Sequence, residues 1–219
     1  MSNNLQKRFI SAIVLAALFL LGIFVYRPLF TFLLALVAII MLAEWFDMTK
    51  GSRAISLSGL IIIPLPITAI LLISLLDRFG WLLLTLSLTV SIVDISAMFG
   101  GKFLKGPKLA PKVSPKKTIS GLATAIFAAA LVPSALSLLP GFDLSYIISP
   151  ELSLLELSVS CACLAIISQL SDLFVSLFKR HFKIKDTGSI IPGHGGILDR
   201  FDSYIFAAPI ALIFILSNI

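Results

Sequence analysis

The chemistry available to this chain is concentrated between Ser176 and Asp202, in SLFKRHFKIKDTGSIIPGHGGILDRFD. Lys179, Arg180, Lys183 and Lys185 precede Asp186. The turn Pro192-Gly193-His194-Gly195-Gly196 follows, and then Asp199, Arg200 and Asp202. Cations neutralise phosphate oxygens, and consecutive glycine peptides can aim N–H groups into an anion-holding concavity. Carboxylate oxygens are the hard ligands that Mg²⁺ prefers. A solvated loop would also be basic and glycine-rich, but it would not set carboxylates at the edge of an apolar run, where charge is costly. The segment reads as a seat for phosphate and a divalent metal. His194 between glycines is a candidate phosphate contact, whereas His181 reads as solvated.

Asp199 and Asp202 stand three residues apart in the first turn of an apolar run, hence on one helix face. Capping explains a carboxylate at a helix start. Two carboxylates flanking an arginine favour joint metal binding. Two more acids lie inside apolar stretches. Asp94 shares a stripe with Ser87 and Ser91, and Asp172 shares one with Ser168 and Ser176 that Lys179 and Arg180 prolong. Such seams must face other helices or a water-filled cavity, although a serine–aspartate seam can also simply glue helices together. Glu44 has no account beyond interfacial exposure.

A second basic stretch, GGKFLKGPKLAPKVSPKKTISG from Gly100 to Gly121, holds six lysines among glycines and prolines. It cannot bury a core, so its lysines hold an anion or lie against lipid headgroups. Thr118 is a predicted N-cap beside Lys116 and Lys117, and a helix N-terminus next to two cations suits phosphate.

These residues need scaffolding, and the composition says of what kind. With 58% hydrophobic residues, 13% charged residues and a mean hydropathy of +1.08, the chain is too apolar for a soluble domain. The fold class expected is all-α, a polytopic integral membrane helical bundle. Runs long enough to cross a bilayer predict seven spans at 8–26, 29–46, 57–76, 80–100, 119–139, 154–177 and 200–218. Pro64 and Pro66 predict a kink or break in the third. The first span reads as retained, because no small-residue cleavage site follows it. Residues 1–80 form an N-terminal group of helices, and 81–219 a catalytic transmembrane domain with basic loops at 101–118 and 178–199.

A cytoplasmic N-terminus puts fifteen of the seventeen Lys and Arg residues on one side, leaving Arg27 and Arg78 on the other. Both basic loops then face the cytoplasm, where nucleotides are found. The net charge of +6 is thus loop topology rather than a nucleic-acid signature. Cys161 and Cys163, two apart in an apolar run, read as packing residues.

The combination of Ser176, Lys179-Arg180, Lys185-Asp186, Pro192-Gly193-His194-Gly195-Gly196 and Leu198-Asp199-Arg200-Phe201-Asp202 resembles the signature of the phosphatidate cytidylyltransferases (CDP-diacylglycerol synthases). A second block is similar to the same family: Asp94, Ala97, Gly101, Ser114-Pro115-Lys116-Lys117-Thr118 and Gly121, with Gln169 to Asp172 in the sixth span. Ser120 stands where the family usually has Glu, Ser171 where it has Gly, and Met98 where it has an aromatic. The chain is short for the family, as though one or two N-terminal spans were missing.

The resemblance implies a Mg²⁺-dependent nucleotidyltransferase that moves a cytidylyl group from CTP to phosphatidate in the bilayer. Metal would fall to Asp172 and Asp199, then Asp202 and Asp94. Lys179, Arg180 and Lys185 would neutralise the triphosphate, with Asp186 orienting Lys185. His194, Arg200 and Asp202 complete the catalytic set. Ser114, Lys116, Lys117, Thr118, Ser176, Gly195 and Gly196 would contact phosphate or nucleotide. The expected location is the bacterial inner (cell) membrane, with the site facing the cytoplasm and a homodimer left open. Intramembrane carboxylates and a proline-broken span also suit an ion-coupled transporter, and another CTP-dependent lipid transferase or kinase would share the nucleotide site. Charges gathered at one membrane face rather than at the midplane favour the enzyme.

Overall fold

The computed structural model describes residues 3–77, 80–140, 142, 152–188, 190 and 195–218, with 3–12 and 15 described by backbone alone. The chain runs α1 (Asn3–Phe24), α2 (Arg27–Met48), α3 (Arg53–Ile62), α4 (Pro64–Leu76) and α5 (Trp81–Phe103). After a hairpin of β1 (Lys108–Ala110) and β2 (Ser114–Thr118) come α6 (Ile119–Ala130), α7 (Val132–Leu136), α8 (Leu154–His181), α9 (Leu198–Phe201) and α10 (Tyr204–Leu216). This is an all-α polytopic membrane protein.

Five of the described helical stretches are long and apolar enough to cross a membrane: 27–48, 53–76, 81–103, 119–136 and 154–181. The apolar α10 is shorter, and α1 carries the first predicted span. The third span breaks at Ile63, as its prolines require. Pro64 supplies no N–H, so α3 ends and α4 begins within a continuous 24-residue stretch. Pro133 divides the fifth span into α6 and α7 in the same way.

Lipid gives little hydrophobic drive to helix association, so close backbone approach matters more. The α5–α6–α8 interface is accordingly built from small residues, with Ala125, Ala129 and Ala165 fully buried around Val93. A Cβ on Gly121 would meet the Ala97 carbonyl at 2.5 Å, so only glycine lets α6 lie this near α5. Elsewhere Trp45, Met41, Ile63, Ile73 and Leu83 fill the core. The Trp45 indole donates to the Ile55 carbonyl at 3.0 Å, and its ring lies 5.0 Å from that of Phe178. These contacts lock the end of α2 against α3 and α8.

The two ends of the bundle differ. At one, buried Asp77 accepts the backbone N–H groups of Trp81 and Leu83 at 3.1 and 3.0 Å, capping α5, and the Arg27 guanidinium donates to the Asp77 carbonyl. At the other end meet the basic residues of both long loops. There the 101–118 loop contains a hairpin that the sequence did not predict, pairing Lys108 with Thr118 and Ala110 with Ser114. Of its strand residues only Thr118 is buried, so it builds no core of its own. Its far end is tied down when the Arg180 Nε donates to the Val113 carbonyl at 3.1 Å. Cys161 is buried and Cys163 exposed, both as free thiols.

Candidate active site

Asp172 sits about two and a half turns before the end of α8, where helical spacing sets Ser176 one turn further on. The Ser176 hydroxyl donates to Asp172 Oδ1 at 3.2 Å. The other oxygen, Oδ2, is 2.6 Å from Lys117 Nζ, brought across from the hairpin loop. Lys117 also donates to the Gln169 carbonyl at 3.4 Å, and the Gln169 amide donates to Asp94 Oδ1 at 3.2 Å. One basic loop residue thus ties together the acids of two helices.

Lys179, two turns after Asp172 on the same helix, is buried and faces the chain's last segment. Its ammonium lies 2.9 Å from Asp199 Oδ1 and 3.4 Å from Asp202 Oδ2. Both acids therefore share one face, as their spacing predicted. Lys179 also feels the charge of Asp172, while Asp202 feels both Asp172 and Asp94. The four acids form one electrostatic cluster with Lys117, Lys179 and Arg200 among them.

Asp199 has a second task. Its Oδ2 accepts the backbone N–H groups of Thr187 and Gly196 at 2.8 and 3.0 Å. Burial alone would raise this carboxyl, but Lys179 and the two peptide donors hold it below its ordinary value of 3.8. The Gly196 N–H is therefore spent on a side chain of the protein itself, whereas the sequence suggested a phosphate contact.

Glu44 corrects the sequence reading. It is 4% exposed rather than interfacial. Its Oε2 accepts the Thr187 hydroxyl at 3.0 Å and the Leu198 N–H at 2.8 Å, and Oε1 accepts the Ile197 N–H at 2.9 Å. The signal was available, because an acid one turn from the end of an apolar helix must either reach water or find donors. A Cβ on Gly196 would meet Thr187 Oγ1 at 2.3 Å and Glu44 Oε2 at 2.4 Å, so part of the glycine-rich turn is explained by these carboxylates.

Other sequence candidates spread around this centre. Thr118 caps α6, accepting the Gly121 N–H at 3.0 Å. Lys116, Lys185 and Asp186 are exposed, Ser114 is half-buried, and Lys185 and Asp186 form no ion pair with each other. Arg180 is exposed and bound to backbone carbonyls of Val113 and Ile184. Gly195 is in the left-handed region at φ 81° beside Asp199. His194 lies outside the described residues. Ser171 is put to use: its hydroxyl donates to the Asp202 carbonyl and accepts the Phe206 N–H at 3.2 Å, joining α8 to the α9–α10 junction. Ser120 donates to the Lys105 carbonyl.

Among the described residues no trio of acidic, His or Cys side chains is arranged to hold an ion by itself. The donor chemistry nevertheless fits Mg²⁺, which is usually bound by one or two carboxylates completed by substrate phosphates and water. The clustered acids outnumber the cations among them, so one more cation would be stabilised there.

The chain matches the cytidylyltransferase family over residues 51–217. It is similar to the phosphatidate cytidylyltransferase of Rickettsia bellii, at 52% identity over 95% of this chain and 89% of that protein. The phosphatidate cytidylyltransferase of Rickettsia felis is 49% identical over 95% of this chain and 91% of its own length. That of Staphylococcus aureus strain COL is 40% identical over 60% of this chain and 47% of its own.

Proposed function

Because the chain belongs to the cytidylyltransferase family, we propose that it transfers a cytidylyl group from CTP to phosphatidate, giving CDP-diacylglycerol and pyrophosphate. The observation that carries this reading is the convergence of Asp94, Asp172, Asp199 and Asp202 with Lys117 and Lys179 at the end of the bundle where both basic loops meet.

The reaction asks little covalent chemistry of the protein. A phosphatidate oxygen forms a bond to the α-phosphorus of CTP while the bond to the β-phosphate oxygen breaks, and pyrophosphate leaves with that electron pair. The nucleophile is already anionic, so no general base is required, and positioning and charge neutralisation remain. Lys117 and Lys179 are held by carboxylates beside the site and can turn their ammonium protons toward incoming phosphate oxygens. Arg180, Lys116 and Lys185 are exposed on the two basic stretches and would attract the triphosphate from solvent. Mg²⁺, held by Asp172 and Asp202 with Asp94 and Asp199 beside them, would supply neutralisation of the charge growing on pyrophosphate. Asp199, whose oxygens already accept three donors, does most by fixing the loop.

The diacylglycerol tails stay in the bilayer. A mostly apolar cavity of about 240 Å³ lies between α5, α8 and α10, lined by Leu86, Thr89, Leu157, Leu164, Ile210 and Phe214, and it accepts an acyl chain. On this reading the chain lies in the bacterial inner membrane with its N-terminus and its site facing the cytoplasm, an orientation that the bias of basic residues toward one side supports.

Purified chain in detergent, given labelled CTP, Mg²⁺ and phosphatidate, should form labelled CDP-diacylglycerol. Product only with another lipid acceptor would point to a different transferase, and no CDP-lipid at all would overturn the reading.

A further inference from the structure

A carboxylate on α2 grips the loop that carries Asp199. Glu44 and Asp199 approach the same turn from two sides. Glu44 takes the Thr187 hydroxyl and the Ile197 and Leu198 N–H groups, while Asp199 takes the Thr187 and Gly196 N–H groups. Thr187 is shared through its side chain by one acid and through its backbone by the other. Asp199 then spends its remaining oxygen on Lys179.

Glu44 lies outside the segment that matches the family, 51–217, so that match gives it no role. Its place in the fold is firmly held: Trp45, the next residue, is fully buried between α3 and α8. A Cβ at Gly188 would come within 2.6 Å of Glu44 Oε1 and one at Gly196 within 2.4 Å of Oε2, so the loop is shaped around this one side chain. A buried carboxylate is costly unless its oxygens are satisfied, and here three donors satisfy them.

We propose that Glu44 is a positioning residue for cytidylyl transfer. It holds 187 and 196–198 in the one arrangement that aims Asp199 at Lys179. The inference rests on the function proposed above. Glu44→Gln keeps the volume but turns amide N–H groups toward at least one of the three donors. Thr187→Val removes only the hydroxyl and leaves the Thr187 backbone N–H on Asp199.

The test uses the full chain in detergent. It measures kcat, KM for each substrate, and hydrogen–deuterium exchange of the amides of 196–198. Both variants should lower kcat at least tenfold and leave KM for phosphatidate within about twofold, with exchange at Ile197 and Leu198 at least tenfold faster in Glu44→Gln. The double variant should be no slower than Glu44→Gln alone, because both act through one contact. Faster exchange with kcat within twofold of the parent would show a merely structural anchor and overturn the proposal. Should Glu44→Gln fail to fold, Thr187→Val decides: kcat unchanged within twofold overturns the proposal, and a tenfold loss supports it. A parent chain that makes no CDP-lipid would instead sink the proposed function, and the exchange measurement would still report whether Glu44 holds the loop.

Discussion

Lys117 Nζ stands 2.6 Å from Asp172 Oδ2, although the two residues come from a surface hairpin and from a membrane helix. Their side chains are only 16% and 23% exposed, so the pair is screened less than a surface ion pair. It joins the first basic loop to the helix whose next two turns carry Ser176 and Lys179.

The pair makes Lys117 a test of how the two loops cooperate. Lys117→Ala would leave Asp172 facing Asp94 and Asp202 without its closest cation, so kcat/KM for CTP should fall about 100-fold, on the order of 2.7 kcal/mol in transition-state binding. Lys117→Arg keeps the charge but misfits a point contact, and should recover part of the loss. Steady-state assays with varied CTP would measure both.

Asp199→Asn separates two tasks that one carboxylate performs. The amide oxygen can still accept the Thr187 and Gly196 N–H groups, while the amide nitrogen faces Lys179 and loses that ion pair. Turnover should fall below a tenth of the parent value, at least about 1.4 kcal/mol, with the melting temperature lowered only by the loss of the ion pair. Asp199→Ala loses both tasks, and should lower activity and melting temperature together. Thermal melts in detergent beside turnover assays would show the split.

Acid should release this contact in a fixed order. The Asp199 carboxyl lies below its ordinary 3.8 in the folded chain. Its contribution to stability is therefore fully present above the ordinary carboxylate value, and is lost as pH falls through the lowered folded value. Near-neutral and mildly acidic solutions should leave the loop intact. Hydrogen exchange at Gly196, corrected for the intrinsic pH dependence, should rise only below about pH 4, and Asp199→Asn should remove that acid step.

Gly196→Ala is expected to be among the most damaging single-methyl changes in the chain. Its Cβ would fall 2.3 Å from Thr187 Oγ1 and 2.4 Å from Glu44 Oε2, both fixed by hydrogen bonds. Overpacking of this kind costs about 1–3 kcal/mol. Activity should drop at least tenfold, about 1.4 kcal/mol, with a lowered melting temperature. A variant that kept full activity would contradict the packing described.

Removing divalent metal should stop turnover while leaving the helices in place. EDTA treatment should reduce CDP-diacylglycerol formation at least 100-fold, on the order of 2.7 kcal/mol, with full recovery on adding Mg²⁺. Helical circular dichroism should not change, because Lys117 and Lys179 offset the charge of Asp172, Asp199 and Asp202.

Features that depend on local composition and order were legible in the chain before it folded. Apolar runs of bilayer length fixed the helices, because lipid leaves the backbone no other partner. Pro64 fixed the break in the third span, and Thr118 the start of α6. The lopsided lysines and arginines put both basic loops at one end, where the structure joins them. Helical spacing put Asp199 and Asp202 on one face, where both reach Lys179.

Which charge meets which was settled by folding. Lys117 is 55 positions from Asp172 and Glu44 is more than 140 from Thr187, so no local periodicity links either pair. Glu44 read as interfacial because sequence shows the cost of burying a carboxylate but not the donors that offset it. Those donors are mainly backbone N–H groups, which every residue except proline carries and which leave no mark in the sequence. Folding alone chose the ones that converge.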